Sequence, residues 1–412
     1  MPDFVKPFAA LRPEAGHAMA VVAPPYDVVS TEEARRLVSG QPNSFLHVSR
    51  PEIGLPRGTD PYSDAAHAKA AENLDRLKAL GLVIRDDAPG YYAYRMQMGE
   101  HRQTGIAATV SAVAYQATRF RKHELTRPDK ETDRVRNMLA LKAQTGPVLS
   151  AYRARDDLRA LIEEVTTRPA LFEVAGQHDV KHAVWRIAAP EQVGAVTAAF
   201  NGMDALYIAD GHHRSAAGAR VTEALRGSDA PGTKSSDYIL TVAFPHDELR
   251  ILGYNRVVAD LNGLSATDLL SRLADSLEVE PAPAAVTPER PATFGLFLDG
   301  QWYRLAVPAA RLPDGDPVAS LDVSLLHDGI LGPFLNVGDP RTDPRVDFVG
   351  GIRGPQELER RVRDGRAAAA FSLFPTSMEQ LMAVADAYRL MPPKSTWFEP
   401  KLADGLLSHV LD

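Results

Sequence analysis

Apolar positions along the chain fall into short runs set off by polar turns, and two periods alternate. Ala66, Ala70, Leu74, Leu77 and Leu80 recur at helical spacing and predict a helix over 63–80, closed by Gly81. Ser30 and Glu33 have capping-box spacing and predict a helix start there, with Gly40 as its stop. Residues 21–28 read as a short strand running into a proline-stiffened turn. The β-rich runs 91–98 and 104–115 flank Gly99-Glu100 as a hairpin. A charged loop over 119–133 leads to a helix over 133–144, which Gly146-Pro147 ends. A strand at 148–152, a helix at 156–166, strands at 171–174 and 182–187, and a helix at 191–200 follow. The buried strand 206–209 then precedes an Ala-rich helix to about 225 and a strand at 238–244. Later, 293–298 and 302–307 flank Asp299-Gly300 as a second hairpin, and helices are predicted over 320–331, 356–363 and 377–388. Strands alternating with helices predict an α/β or α+β fold.

The segment 281–291 holds four prolines and reads as a linker. A chain of 412 residues is long enough for two or three domains. Charged residues make up 24% of it and apolar ones 45%, which excludes global disorder. The net charge of −7 disfavours a dedicated nucleic-acid binder. Cysteine is absent, so a thiolate metal site, a disulfide scaffold and a cysteine nucleophile are all excluded. The N-terminal stretch has no continuous apolar core, and apolar runs such as 367–374 are far short of a membrane span. The sequence therefore predicts a soluble cytoplasmic protein without a membrane partner.

The densest chemistry is Tyr207-Ile208-Ala209-Asp210-Gly211-His212-His213-Arg214-Ser215. An apolar strand ends in a polar turn and a helix begins at once, which leaves backbone N–H groups and the helix dipole facing an anion. Gly211 permits close approach, Arg214 brings a planar cation, and His212, His213 and Ser215 bring donors. Asp210 is the candidate metal ligand. Two adjacent histidines point about 100° apart on a helix and do not readily share one ion. Lys122-His123-Glu124-Leu125-Thr126 makes a second cluster, in which Glu124 is a candidate general base. Lys394-Ser395-Thr396 follows two prolines and is a candidate phosphate clasp, although no P-loop pattern surrounds it. Asp27 is rigidly held after Pro24-Pro25-Tyr26. His101, His178 and His246 have no comparable surroundings.

Lys122-His123-Glu124, Gly146-Pro147-Val148 and the Asp210–Arg214 run together resemble the ordered motifs of the ParB/sulfiredoxin-like superfamily, in particular its free L-serine kinase (SerK-like) branch. Over nearly its full length the chain resembles a bacterial SerK-related family of unknown function, through Lys6-Pro7-Phe8, 23–28, the DGHHR run and Lys394-Ser395-Thr396-Trp397-Phe398. The resemblance implies an α+β fold in three regions: 1–89 packing on a catalytic core at 90–262, and a C-terminal α/β region at 263–412. It also implies transfer of a phosphoryl group from a nucleotide or pyrophosphate to free serine, with Mg²⁺ and no organic prosthetic group. Glu124 would be the base, with catalytic roles for His213 and Asp210. Gly211, His212, Arg214, Ser215, Lys394, Ser395 and Thr396 would hold the donor, and Asp27, His123, Thr126 and Arg134 would line the serine pocket. The 86 positions from Glu124 to Asp210 exceed the family spacing and imply an insertion near 155–200, looped out of the core. Sulfiredoxin chemistry needs a cysteine at the turn and is excluded. Two other readings stay open: a nucleotide-binding regulatory module without catalysis, and a phosphohydrolase using the same cradle. The sequence does not fix the oligomeric state.

Overall fold

The capping signals of the sequence are realised in the computed structural model, which describes residues 2–412. Ser30 and Glu33 cap each other at the start of Thr31–Leu37, and the Ser63 side chain accepts the N–H of Ala66 at the start of Asp64–Ala79. Two compact units are present, Met1–Leu249 together with Pro400–Asp412, and Arg250–Glu399.

The larger unit is built on a nine-stranded mixed sheet. Its order is Phe120–Arg121, Leu206–Asp210, Val148–Tyr152, Tyr238–Pro245, His101–Ser111, Tyr91–Met98, Lys181–Ile187 and Phe172–Ala175, and Val5–Lys6 pairs separately with His101–Ser111. Leu206–Asp210 runs parallel to Phe120–Arg121, with Leu206 opposite Phe120 and Tyr207 opposite Arg121. Residues 155–200 are not looped out, contrary to the sequence expectation. They give two strands to the sheet, and helices Asp156–Thr166 and Pro190–Asn201 place Leu158, Ile162, Val165, Val196 and Phe200 in the same core as Ile106, Val110, Leu206 and Ile208.

The first 89 residues place Phe45, Leu46, Leu74 and Leu77 in a second core, which Leu141 and Ala143 complete, and they belong to this unit. So do residues 400–412: Ser408–Val410 pairs with both Ala10–Pro13 and Ala143–Gln144. The strand expected at 21–28 is a helical turn, Ala18–Val21, followed by a single bridge between Ala23 and Asp404. Pro24 and Pro25 lack the N–H groups that would extend that pairing. The helix expected from 133 begins earlier, as Pro128–Leu141, because proline suits the first helical position.

The smaller unit holds a six-stranded antiparallel sheet, ordered Glu278–Ala282, Gln301–Ala306, Thr293–Leu298, Ala369–Leu373, Tyr254–Val258 and Val346–Gly350. Asp299 and Gly300 both have positive φ, the backbone that a two-residue hairpin turn needs. The proline-rich stretch 281–291 is not a linker between units. Its first residues lie in a strand, Val286 is buried, and the Val286 carbonyl accepts the Ser372 hydroxyl at 2.6 Å. Proline content marked an extended segment, and burial made it part of the sheet layer. Among the described residues no helix is long and apolar enough to cross a membrane.

Candidate functional site

Strand Leu206–Asp210 is buried up to Asp210, and helix His212–Arg226 starts two residues later without a side-chain cap. Gly211 makes the join at φ +98, where a Cβ would also sit 3.1 Å from Arg214 Nε. Both facts require glycine there. The Asp210–Arg214 run thus straddles a strand end and the first turn of a helix.

Parallel pairing puts the second cluster beside this turn. Because Phe120–Arg121 and Leu206–Tyr207 run in the same direction, the chains that follow them leave the sheet at the same end. Glu124 Oε2 lies 3.9 Å from His212 Nδ1. The His123 and His212 rings meet edge-on at 4.4 Å. Backbone N–H groups of this loop donate to the turn's histidines, His123 to His212 Nε2 at 3.5 Å and Arg127 to His213 Nε2 at 3.0 Å. Burial pushes His123 down to about 4 and holds His212 well below its ordinary value. These two rings are neutral at physiological pH and bring no positive charge to a phosphate.

Arg214 is buried, and its fork is engaged inside the protein. Nη1 donates to the Pro147 carbonyl at 2.5 Å and Nη2 to Asp210 Oδ2 at 3.0 Å, and Asp27 Oδ2 is 3.9 Å away. Burial acts to lower the guanidinium, but the carboxylates of Asp27 and Asp210 outweigh it and hold Arg214 above its ordinary value. A fourth group, Asp404, arrives from the C-terminal segment. It is fully buried, and its Oδ2 accepts the N–H of Tyr26 at 3.2 Å. Gly146 leaves room for this meeting: a Cβ there would lie 3.3 Å from Arg214 Cδ and 3.6 Å from Asp404 Oδ1. Sequence reasoning missed Asp404. The available signal was Ala403-Asp404-Gly405, a second copy of Ala209-Asp210-Gly211.

Burial pushes Asp404 up to about 7 from its ordinary value of 3.8, against the lowering effect of Arg214. The folded state therefore binds more protons than the unfolded one between those values. Stability from this group is fully present below about pH 4 and is lost as pH rises through 7. Asp404→Asn keeps the acceptor for Tyr26 and removes the titration. Urea unfolding from pH 4 to 8 is expected to show a decline in the wild type, roughly 4 kcal/mol at most, that is missing in Asp404→Asn. Parallel curves for the two proteins would contradict the burial of an uncharged acid.

Other sequence candidates have local structural roles. Ser215 is fully buried and its hydroxyl donates to the His212 carbonyl at 2.9 Å, which removes it from the phosphate set. The Thr126 hydroxyl bonds the Glu131 carboxylate near the start of Pro128–Leu141. Arg134 grips Asp133 through two nitrogens at 2.8 and 2.5 Å and lies 4.2 Å from the Tyr26 ring, so it shapes the Tyr26–Asp27 turn from behind. Asp133 is also bonded to His67 Nε2 at 3.1 Å. Lys394, Ser395 and Thr396 belong to the smaller unit. There the buried Ser395 hydroxyl donates to the Pro392 carbonyl at 2.6 Å, and Lys394 Nζ lies 5.9 Å from the Tyr254 ring. The Ser395 hydroxyl closes its own turn and is not presented to a phosphate. No group of three or more His, Asp or Glu side chains able to hold a metal occurs among the described residues.

A family model described as "Protein of unknown function (DUF1015)" matches residues 5–324. No curated protein matches the chain. Among solved structures, a free serine kinase in complex with AMP is 13% identical over 73% of this chain and 91% of its own, with a TM-score of 0.35. A conserved hypothetical protein from Pyrococcus furiosus is 13% identical over 73% and 94%, with a TM-score of 0.35. C-terminally truncated SbnI from Staphylococcus aureus is 11% identical over 76% and 88%, with a TM-score of 0.37.

Proposed function

We propose that this chain, which belongs to the DUF1015 family of proteins of unknown function, is a small-molecule phosphotransferase that moves a phosphoryl group from a nucleotide or pyrophosphate to the hydroxyl of free L-serine. The observation that carries the reading is the 3.9 Å approach of the Glu124 carboxylate to His212 at the head of the Asp210–Arg214 turn. A carboxylate able to take a proton and an uncapped helix start share one site, which is the inventory phosphoryl transfer needs. The resemblance of the motifs to the SerK-like branch supports the choice of serine. The same reading takes the sheet of the larger unit as a ParB/sulfiredoxin-like core in a cytoplasmic enzyme.

In this reaction Glu124 Oε2 accepts the serine hydroxyl proton as the hydroxyl oxygen attacks the terminal phosphorus of the donor. The bond from that phosphorus to the leaving phosphate oxygen breaks, giving O-phospho-L-serine and a donor shorter by one phosphoryl group. The first N–H groups of His212–Arg226 and the dipole of that helix face the donor's phosphates. Magnesium, when bound, offsets the charge on those phosphates. The donor set fits a cation carried in by the phosphates, because Asp27 and Asp210 are partly exposed carboxylates at the turn.

The test is to incubate the full chain with serine and ATP, ADP or pyrophosphate in parallel, and to look for phosphoserine by mass spectrometry. Phosphoserine from at least one donor is the expected result. Donor hydrolysis that ignores serine would replace the reading with a phosphohydrolase, and binding without turnover with a regulatory module.

A further inference from the structure

The two histidines of the turn behave alike toward the loop that carries Glu124. Nε2 of His212 accepts the backbone N–H of His123, and Nε2 of His213 accepts that of Arg127. A backbone amide can only donate, so each Nε2 presents a lone pair, and a neutral ring must then carry its proton on Nδ1. The Nδ1–H so defined on His212 faces Glu124 Oε2 at 3.9 Å. Catalytic hydrogen bonds are commonly this loose before substrate binds and tighten in the loaded complex. The two amides that are held, at 123 and 127, bracket Glu124 in the chain, so the loop is tied down on both sides of the carboxylate.

We propose that His212 and His213 are positioning residues: their Nε2 lone pairs clamp the 123–127 loop onto the turn, and the His212 Nδ1–H orients the Glu124 carboxylate, so that neither imidazole is a phosphate ligand. The role rests on the phosphotransferase reading, whereas the clamp geometry does not. It replaces the sequence expectation that placed His212 among the donor-binding residues and gave His213 a catalytic role.

Side-chain amides separate the two functions of each ring. The glutamine carboxamide oxygen can stand where Nε2 accepts, and the asparagine N–H where Nδ1 donates. The test uses the full chain with ¹⁵N-labelled histidine. A long-range ¹H–¹⁵N spectrum near neutral pH reads the tautomers, assigned by the signal each variant loses, and amide hydrogen exchange reads the His123 and Arg127 N–H groups. Both rings are expected as Nδ1–H tautomers. Exchange at Arg127 should accelerate by about tenfold in His213→Ala, the worth of one hydrogen bond, and recover in His213→Gln but not in His213→Asn. Exchange at His123 should accelerate likewise in His212→Ala. In serine turnover, kcat should fall in both alanine variants while the donor dissociation constant stays put. For His212, asparagine should restore more of kcat than glutamine. An Nε2–H tautomer on either ring, unchanged exchange, or weakened donor binding with kcat intact would overturn the proposal. Absence of phosphoserine in the wild type would remove the reaction instead, and the tautomer and exchange readings would still decide the clamp.

Discussion

Glu124→Gln is expected to lower serine turnover by about 10²–10⁴-fold while donor affinity stays near that of the wild type. A serine hydroxyl is a poor nucleophile at neutral pH, and its reaction depends on a partner that takes the proton as the new bond forms. Glutamine keeps the size and reach of the side chain and removes that capacity. Glu124 is suited to the task because it is partly exposed, within a loop that two amides fix against the turn. The donor would contact the helix start, which the substitution leaves alone, so the loss should appear in kcat. Equal turnover of the two proteins in a phosphoserine assay would make Glu124 a solvated loop residue and leave the turn without an acceptor.

Arg214→Ala is expected to destabilise the larger unit by about 3–5 kcal/mol, the usual cost of removing one partner from a buried ionic cluster. The side chain is 6% exposed, bonds the Pro147 carbonyl and Asp210, and is the countercharge nearest Asp27. Its loss would leave Asp404 buried without the cation that lowers it, and a carbonyl without its donor. Arg214→Lys should recover part of the loss, because an ammonium supplies charge but cannot span Pro147 and Asp210 as a planar fork does. Urea unfolding above pH 7, where Asp404 is ionised, reads the difference directly. If Arg214→Ala unfolds like the wild type and only donor affinity falls, Arg214 is a phosphate ligand, as the motif by itself suggests.

Much of the fold was legible in the sequence because short-range physics wrote it. The Ser30 and Ser63 caps, the Asp299-Gly300 hairpin and the strand-to-helix turn at Gly211 each depend on residues within a few positions of one another. The turn stood out for the same reason: polar groups packed between an apolar strand and an apolar helix are legible from their neighbours alone. Residue types such as Glu124 and Asp210 could be nominated, but their meeting could not.

Tertiary structure decided the rest through pairings between distant segments. Arg121 and Tyr207 are brought side by side by a parallel register, which carries Glu124 toward the turn. The segment 155–200 reads as an insertion, yet its apolar faces complete the main core. The prolines of 281–291 read as a linker, yet burial of Val286 ties them into a sheet. Asp404 enters the site from the far end of the chain because Ser408–Val410 finds an open edge beside Ala10–Pro13. Local propensity says which segments are strands and helices. Which strand edges meet, and therefore which charges share one buried volume, is set by how the whole chain removes its apolar surface from water.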